Sequence, residues 1–404
     1  MTIKLLLFFS EFKKDFMMQN TTTNFSTENV ILVHSGKDFF DRLENIINEA
    51  RTEIHFQIYI LENDATGNRI VTALKKAVAR KVEVYLLLDG LGSRSLPDVF
   101  VKEICSSGIQ FRFFSPLLSS NSFYFGRRLH HKIVVIDAET ALIGGINVAE
   151  KYEGIPTEKP WLDYAVLIKN TRIARELQAI CYYYFFKKKH PSFQKSKTDS
   201  AENQTKISIL QNDWLRQKNE IQRSYIKSIY TAQSEIIIVC SYFLPGKKLT
   251  RSLKKAAQRN VRIRLILSGV SDVPLVKEAI NYYYAFLLRN NIELYEWNQS
   301  ILHGKTAVVD QKWTTIGSFN LNHLSSYASI EMNVGIDSKA FAENYQKHLE
   351  TIIAQCDPIT SEAFQTQNNI FTRFKQWGSY YIVRFFEILL TYLPYNRFFK
   401  SILK

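Results

Sequence analysis

The chain is poor in cysteine, and its cysteines form no recognisable group. Four occur among the 404 residues, and they are far apart in the sequence. They are Cys105, Cys181, Cys240 and Cys356. This spacing fits neither a zinc-binding module nor a disulfide-rich secreted domain, so we expect buried, unpaired thiols in a reducing compartment.

Long apolar runs are also lacking. The apolar run at positions 5–9 is followed at once by charged residues, and it is shorter than the roughly 7–15 residues of a signal-peptide core. No stretch approaches the roughly 18 apolar residues that a membrane-spanning helix requires. We therefore expect a soluble or peripheral protein, whose translation begins at Met1, Met17 or Met18.

Acidic residues are outnumbered by basic ones. The chain has 52 Lys and Arg against 38 Asp and Glu, a net charge of +14, and 46% hydrophobic residues. Such a composition excludes a disordered chain, and the length suggests two or three domains at a prior of about 150 residues each. The positive charge predicts an anionic partner, which could be nucleic acid, an anionic membrane or a phosphorylated substrate.

The middle of the chain contains an internal duplication. Residues 67–90 align without a gap on residues 246–269, and 10 of the 24 positions are identical. Each copy has apolar residues at helical spacing followed by a buried strand, and another predicted helix and strand precede each copy. This alternation predicts an α/β fold in each half.

The duplication and the polar stretch between the copies suggest where the domains begin and end. We predict a leader (1–28), a first domain (29–195), a linker (196–206), a second domain (207–356) and a basic aromatic tail (357–404).

Each half also contains an HxKxxxxD motif, followed by a glycine and an asparagine. The matching residues of the two halves are separated by 173 positions throughout. They are His130, Lys132, Asp137, Gly145 and Asn147 in the first half, and His303, Lys305, Asp310, Ser318 and Asn320 in the second. This agreement indicates a duplicated active site rather than two chance matches.

The residue types suit a phosphate ester as substrate. In a strand, His and Lys two residues apart project to the same face and so could contact one ligand. A neutral imidazole can act as nucleophile or proton donor, and a lysine provides positive charge for phosphate oxygens. We expect each half to contribute one His and one Lys around a single phosphodiester. Asp137 and Asp310 could be catalytic or could be turn residues.

An oriented imidazole usually has a carboxylate partner. Glu331 lies 28 residues after His303, and Asp163 lies 33 residues after His130, so each half contains one candidate. Both acids stand in apolar strand-like sequence, where a lone carboxylate needs a role. We predict that Glu331 and Asp163 orient the histidines.

The paired motifs resemble the phospholipase D superfamily, over about residues 30–356. More narrowly, the segments QIYILENDATG, HHKIVVID, GGINVAEKY and SYFLP are similar to those of bacterial cardiolipin synthases. The resemblance implies two α/β/α sandwich halves packed about a pseudo-twofold axis, with the active site on that axis. It implies phosphatidyl transfer without a metal or cofactor, through a covalent phosphatidyl-histidine.

Residue roles follow from the same resemblance. His130 would attack the phosphodiester and His303 would serve as acid and base, although the reverse assignment stays open. Other residues would hold the phosphoryl oxygens: Lys132, Lys305, Asn147, Asn320, Ser318 and Gly145. Arg128, just before the first motif, would contact the acceptor or the head group. His131 stands where relatives usually have Arg, which leaves the acceptor unspecified.

The tail has the composition of a helix that lies on a membrane surface. Residues 371–404 include 11 aromatic residues, six basic ones and one acid, Glu387. Apolar residues recur at helical spacing, which predicts an interfacial helix on anionic lipid or a helix packed on the catalytic body. We expect a peripheral protein on the cytoplasmic face of the cell membrane, with no nucleic acid partner.

Three functions are compatible with the sequence. The first is a cardiolipin synthase-like phosphatidyltransferase that condenses phosphatidylglycerol with a second phospholipid head-group alcohol. The second is a phospholipase D or phosphodiesterase acting on phospholipid, or less favourably on nucleic acid, with water as acceptor. The third is a non-catalytic membrane-binding or nucleic-acid-binding module, which the intact duplicate motifs disfavour. The sequence does not define donor, acceptor, acyl chains or oligomeric state.

Overall fold

A computed structural model of the chain describes residues 22–25, 29–116, 118–119, 122–123, 127–191, 205–367 and 369–392. Most of the predicted leader and most of the predicted linker lie outside these residues, as do positions 393–404 of the predicted tail.

The described residues form strands and helices that alternate in both halves of the chain. The strands are β1 Thr22–Phe25, β2 Val30–His34, β3 Glu53–Ile58, β4 Glu83–Asp89, β5 Gln110–Phe114, β6 Leu118–Ser119, β7 Ser122–Phe123, β8 Arg128–Leu129, β9 Lys132–Ile136, β10 Thr140–Gly144, β11 Tyr164–Lys169, β12 Thr205–Asp213, β13 Lys218–Asn219, β14 Glu235–Cys240, β15 Arg262–Ser268, β16 Glu293–Trp297, β17 Lys305–Val309, β18 Trp313–Gly317, β19 Ser329–Asp337 and β20 Asp357–Ile359. The helices are α1 Lys37–Glu49, α2 Ala65–Ala79, α3 Asp98–Ser106, α4 Glu150–Glu153, α5 Thr171–Phe186, α6 Glu220–Thr231, α7 Lys247–Gln258, α8 Pro274–Arg289, α9 His323–Tyr327, α10 Lys339–Ile353, α11 Ser361–Gln367 and α12 Ile370–Tyr392.

Apart from β6 and β7, which pair only with each other, the strands build two sheets of matching topology. Across the first sheet the order is β2, β11, β10, β9, β3, β4, β5, and across the second it is β12, β19, β18, β17, β14, β15, β16. In both sheets the last three strands are parallel and the others are antiparallel. β1 and β20 extend the second sheet at its two edges. The predicted duplicated α/β fold is therefore confirmed.

Strand β9 shows how the alternation of side chains produces the layers. Val134 and Ile136 pack in a cluster with residues of α1 and α2, whereas Ile133 and Val135 pack in a cluster with residues of α5. The second cluster also includes residues of β18, β19 and α10. Burying one such Val or Ile side chain contributes about 1.5–3 kcal/mol, so this shared cluster holds the two halves together.

The predicted tail is attached to the second half. It begins with β20, which pairs with β16, and its helix α12 packs on α8. The rings of Tyr282 and Tyr380 are 4.9 Å apart, and Lys375 Nζ lies 2.7 Å from Glu278 Oε1. Among the described residues, no helix combines the length and the apolar character that crossing a bilayer requires.

Candidate active site

Each motif begins at the end of a central strand. His130 lies two residues before Lys132, the first residue of β9, and His303 lies two residues before Lys305, the first residue of β17. The charges of both lysines act on both imidazoles, and His130 also acts on His303. The fold therefore brings the two motifs to one site, as the sequence predicts.

The backbone of each motif is bound to the other half of the chain. The amides of His130 and His131 both donate to the Ile330 carbonyl, at 3.0 Å each. The amides of His303 and Gly304 donate to the Leu162 carbonyl, at 2.8 and 2.9 Å. The residue after Ile330 is Glu331, and the residue after Leu162 is Asp163. Each motif is thus held beside the acid of the opposite half.

The side chains are paired between the two halves in the same way as the backbone. His130 Nδ1 lies 2.9 Å from Glu331 Oε2, and His303 Nδ1 lies 2.6 Å from Asp163 Oδ2. Both acids are fully buried. A carboxylate at Nδ1 keeps a proton on that nitrogen and leaves Nε2 for the substrate. The sequence spacing pairs each acid with the histidine of its own half, whereas the structure pairs it with the histidine of the other.

Burial shifts the proton equilibria of these pairs. It lowers the pKa of His130, against the opposing effect of Glu331, and it lowers the pKa of His303 well below its usual value. Burial also raises the pKa of Asp163 to about 7. Desolvation disfavours two separate buried charges, so the pair of Asp163 and His303 takes up one further proton, beyond the one on the neutral imidazole, only as the pH falls through about 7.

The two lysines are almost completely buried. Lys132 is 4% exposed and Lys305 is 0% exposed. Lys132 Nζ donates to the His130 carbonyl at 2.5 Å, and Lys305 Nζ donates to the His303 carbonyl. Desolvation lowers the pKa of both ammonium groups, that of Lys132 to about 7. A phosphate anion would therefore strongly favour their charged forms.

Ser318 and Gly145, predicted to bind phosphate, lie against the acids instead. Ser318 Oγ donates to Glu331 Oε2 at 2.6 Å. A Cβ atom at Gly145 would lie 2.3 Å from Asp163 Oδ1, so only glycine leaves room for this carboxylate. The Gly145 amide donates to the Tyr164 carbonyl at 3.0 Å. Both residues fix an orienting carboxylate.

The two asparagines hold neighbouring loops. Asn147 accepts from the Ile60 amide at 3.1 Å and donates to the Tyr152 hydroxyl at 2.9 Å. Asn320 accepts from Ser241 Oγ at 2.9 Å. Asn147 therefore binds protein groups through both the oxygen and the nitrogen of its side-chain amide, and the phosphate contact of the two asparagines stays a prediction.

Asp137 and Asp310 are at the other ends of β9 and β17, away from the histidines. Asp137 accepts hydrogen bonds from the amides of residues 51–53 and from the Thr52 hydroxyl. Asp310 accepts the same set from residues 233–235. Partial burial raises the pKa of both carboxyls, but the hydrogen bonds from these donors outweigh it and the pKa of each is lowered. Of the two predictions for them, the structure supports turn residues, because the strand separates them from the site.

Arg128 is also occupied within the protein. It is 7% exposed, its Nη2 donates to the Ser115 carbonyl at 2.8 Å, and its Nη1 lies 3.4 Å from Asp89 Oδ1. The same carboxylate accepts from the Leu129 amide at 2.8 Å. Arg128 thus braces β8 next to the first motif, and its contact with the acceptor or the head group stays a prediction.

Sequence reasoning missed the aromatic residues around the histidines. The Tyr59 ring lies 4.8 Å from the His130 ring, with Lys132 Nζ 5.2 Å from its centre. The rings of Tyr152 and Trp161 lie 5.4 and 6.0 Å from that of His303. Tyr59 directly follows β3, a position where a side chain reaches the strand ends. In the described part of the chain, no group of three or more His, Cys, Asp or Glu is arranged to hold a metal ion.

Comparison with known proteins agrees with this geometry. The family described as cardiolipin synthase, PLD-like domain, matches residues 43–181 and 225–353. Cardiolipin synthase B of Salmonella typhimurium is 32% identical over 370 residues, which are 90% of this chain and 89% of that protein. The minor cardiolipin synthase of Bacillus subtilis is 28% identical over 335 residues, 82% of this chain and 83% of that protein.

A solved structure shows the same fold. Phosphatidylserine synthase of Haemophilus influenzae superimposes with a TM-score of 0.72 at 14% identity, covering 95% of this chain and 98% of that one. The duplicated fold, the two converging motifs and these relatives lead to one conclusion. The chain belongs to the cardiolipin synthase family of the phospholipase D superfamily.

Proposed function

We propose that the protein is a phosphatidyltransferase that condenses phosphatidylglycerol with the head-group alcohol of a second phospholipid, forming cardiolipin when that phospholipid is also phosphatidylglycerol. One observation carries this proposal: two imidazoles, each bound through Nδ1 to a buried carboxylate of the opposite half, share one site with two buried lysines. The names of the relatives support the same reaction.

The first step forms the covalent intermediate. His130 Nε2 attacks phosphorus, the bond from phosphorus to the glycerol head-group oxygen breaks, and His303 gives its Nε2 proton to that oxygen. In the second step His303 takes the proton of the acceptor hydroxyl. The acceptor oxygen then bonds to phosphorus as the phosphorus–nitrogen bond breaks. Lys132 and Lys305 balance the negative charge on the non-bridging oxygens.

The environments of the two histidines support this division of roles. The His130 side chain is 16% exposed and that of His303 is 8% exposed, so His130 is the more accessible nucleophile. The Asp163 and His303 pair retains a proton near neutral pH, because burial raises the pKa of Asp163 to about 7. That proton is the one the leaving alcohol needs.

The products formed from lipid vesicles test the proposal. Incubated with phosphatidylglycerol vesicles and a metal chelator, the purified protein is expected to release one glycerol for each cardiolipin formed. Phosphatidic acid as the main product would instead support the phospholipase D function. Vesicle binding without turnover, also when divalent metal is supplied, would support a non-catalytic module. His130→Ala is the inactive control.

We further propose that the protein works at an anionic membrane surface, on its cytoplasmic face. Helix α12 packs one side on α8 and exposes large apolar residues on the other, including Phe371, Phe374 and Phe385 at 83%, 71% and 61%. Basic residues on the same helix and the net charge of +14 suit anionic head groups. All four cysteines are free thiols, which agrees with a reducing compartment.

Co-sedimentation with vesicles tests this partner. The variant with Phe374→Ser and Phe385→Ser is expected to lose most binding to phosphatidylglycerol vesicles and to keep its thermal unfolding temperature. Val99→Ser, at a 77% exposed position outside α12, is the matched control. Equal binding by the double variant and the control would show that α12 does not face lipid.

A further inference from the structure

The inner side of α12 reaches the loops of the second half of the active site. Arg384 Nη2 donates to the Pro245 carbonyl at 2.7 Å, and its Nη1 donates to Glu387 Oε2 at 3.1 Å. Glu387 is 3% exposed, and the backbone amides of His323 and Leu324 donate to its carboxylate. The one acid of the predicted basic helix is therefore buried against the site rather than facing solvent.

These two loops are the ones that hold Asn320. Ser241 Oγ donates to Asn320 Oδ1 at 2.9 Å, and the Leu244 amide donates to the Leu321 carbonyl at 3.1 Å. The Asn322 amide donates to the Asn320 carbonyl at 2.8 Å. Only residues 321 and 322 separate Asn320 from residue 323, so a displacement of residues 323 and 324 would also move Asn320.

In the first half, the corresponding carboxylate belongs to Asp64, a residue of that half itself. Glu150 lies 173 positions before His323, and its amide donates to Asp64 Oδ2 at 2.7 Å. Asp64 directly precedes α2, six residues after β3 ends, and Gly246 directly precedes α7, six residues after β14 ends. Gly246 has no side chain to offer. In the second half Glu387 occupies the role that Asp64 has in the first.

We infer that Glu387, held by Arg384, is a positioning residue that completes the second half of the active site, so that α12 is part of the catalytic apparatus and not only a lipid-facing surface. The inference rests on the proposed function for its effect on turnover. A charge-assisted bond from the amides of residues 323 and 324 to Glu387 fixes the start of α9, and the other side of α12 exposes aromatic residues for contact with lipid. The site and the proposed membrane-binding surface are thereby parts of one rigid unit.

The test removes the charge of Glu387 and then supplies a carboxylate from elsewhere. Glu387→Gln keeps the shape of the side chain, whereas Glu278→Gln, the matched control on α8, breaks the ion pair with Lys375 that ties α12 to α8 away from the loops. Gly246→Asp places an acid directly before α7, the position relative to its helix that Asp64 has before α2. A Cβ atom at Gly246 meets nothing within 4 Å, and its backbone is extended, so the substitution is free of strain.

Hydrogen exchange provides a readout that needs no substrate. In Glu387→Gln, we expect the backbone amides of residues 320–328 to exchange about tenfold faster, while the exchange of residues 147–153 stays unchanged. The substitution weakens only the bond between residue 387 and the amides of residues 323 and 324, which lie in the second half. With phosphatidylglycerol vesicles, kcat should fall about tenfold at constant KM and constant vesicle binding. Adding Gly246→Asp should restore both quantities, and Glu278→Gln should change neither.

Wild-type exchange in Glu387→Gln, or a loss that Gly246→Asp leaves unrepaired, would overturn the inference. So would a fall in kcat that merely follows weaker vesicle binding or a lower unfolding temperature shared with Glu278→Gln. Failure of the wild-type protein to form cardiolipin would count against the proposed function alone, because the exchange measurement still decides the role of Glu387.

Discussion

Replacing Glu331 by glutamine tests the exchange of acids between the two halves. Glu331 Oε2 accepts from both His130 Nδ1, at 2.9 Å, and Ser318 Oγ, at 2.6 Å, and the residue is fully buried. Glutamine keeps the volume and one acceptor but loses the charge. Hydrogen bonds to charged groups contribute about 1.5–3 kcal/mol and neutral ones about 0.5–1.5, so we expect a loss of about 1–1.5 kcal/mol. That is about a tenfold fall in kcat.

Nitrogen-15 NMR of labelled histidine shows which imidazole is affected. In Glu331→Gln the ring nitrogens of His130 should shift, while those of His303 should stay nearly unchanged. Asp163→Asn, the mirror variant, should shift His303 and spare His130. Resonances are assigned with His130→Asn and His303→Asn. If Glu331→Gln instead shifted His303 and spared His130, each acid would serve the histidine of its own half, and the exchanged arrangement would be refuted.

The site supports three further predictions. His130→Ala and His303→Ala should each lower kcat by at least about 1,000-fold, measured as cardiolipin formed, and appreciable activity in either would contradict a two-histidine mechanism. The kcat/KM for the anionic substrate should fall as the pH rises above about 7. Burial lowers the pKa of Lys132 to about 7, so the free enzyme loses this positive charge above that pH. A flat profile of kcat/KM between about pH 6 and 9 would disprove this cause. Asp310→Ala should lower the free energy of unfolding by about 2 kcal/mol yet leave kcat within about twofold, since its bonds hold a turn; a selective loss of kcat would return it to the catalytic group.

The architecture and the central residues of the site could be predicted from the sequence. The helix–strand duplication predicted two matching α/β halves, and the constant separation of 173 residues singled out His130, Lys132, His303 and Lys305. Both features are local patterns that repeat, and a repeated pattern carries its own evidence of a common role. The structure places all four side chains as these patterns predict.

The partners of these residues could not be predicted, because partnership depends on how the halves pack. Sequence distance pairs Asp163 with His130, but the backbone of residue 162 binds the second motif, so its neighbour meets His303. Recurrence also singled out Gly145 and Ser318, but it could not show that they contact the two buried acids. A residue that positions an orienting acid recurs in both halves just as a phosphate-binding residue does, so recurrence does not tell the two roles apart.

Glu387 shows the same limit more strongly. The sequence identifies it only as the single acid of a basic aromatic segment. The structure buries it against the amides of residues 323 and 324, where the first half uses Asp64. Only a comparison of the hydrogen bonds in the two halves reveals that α12 supplies an acid to the second half where the first half uses Asp64.

The covalent intermediate tests most directly whether two halves form one active site. The protein should be mixed with phosphatidylglycerol vesicles, quenched at alkaline pH during turnover and digested, and the peptides analysed by mass spectrometry. We predict a phosphatidyl adduct on the peptide that contains His130, absent from the peptide that contains His303 and lost in His130→Ala. An adduct on His303, or turnover without any histidine adduct, would contradict the account.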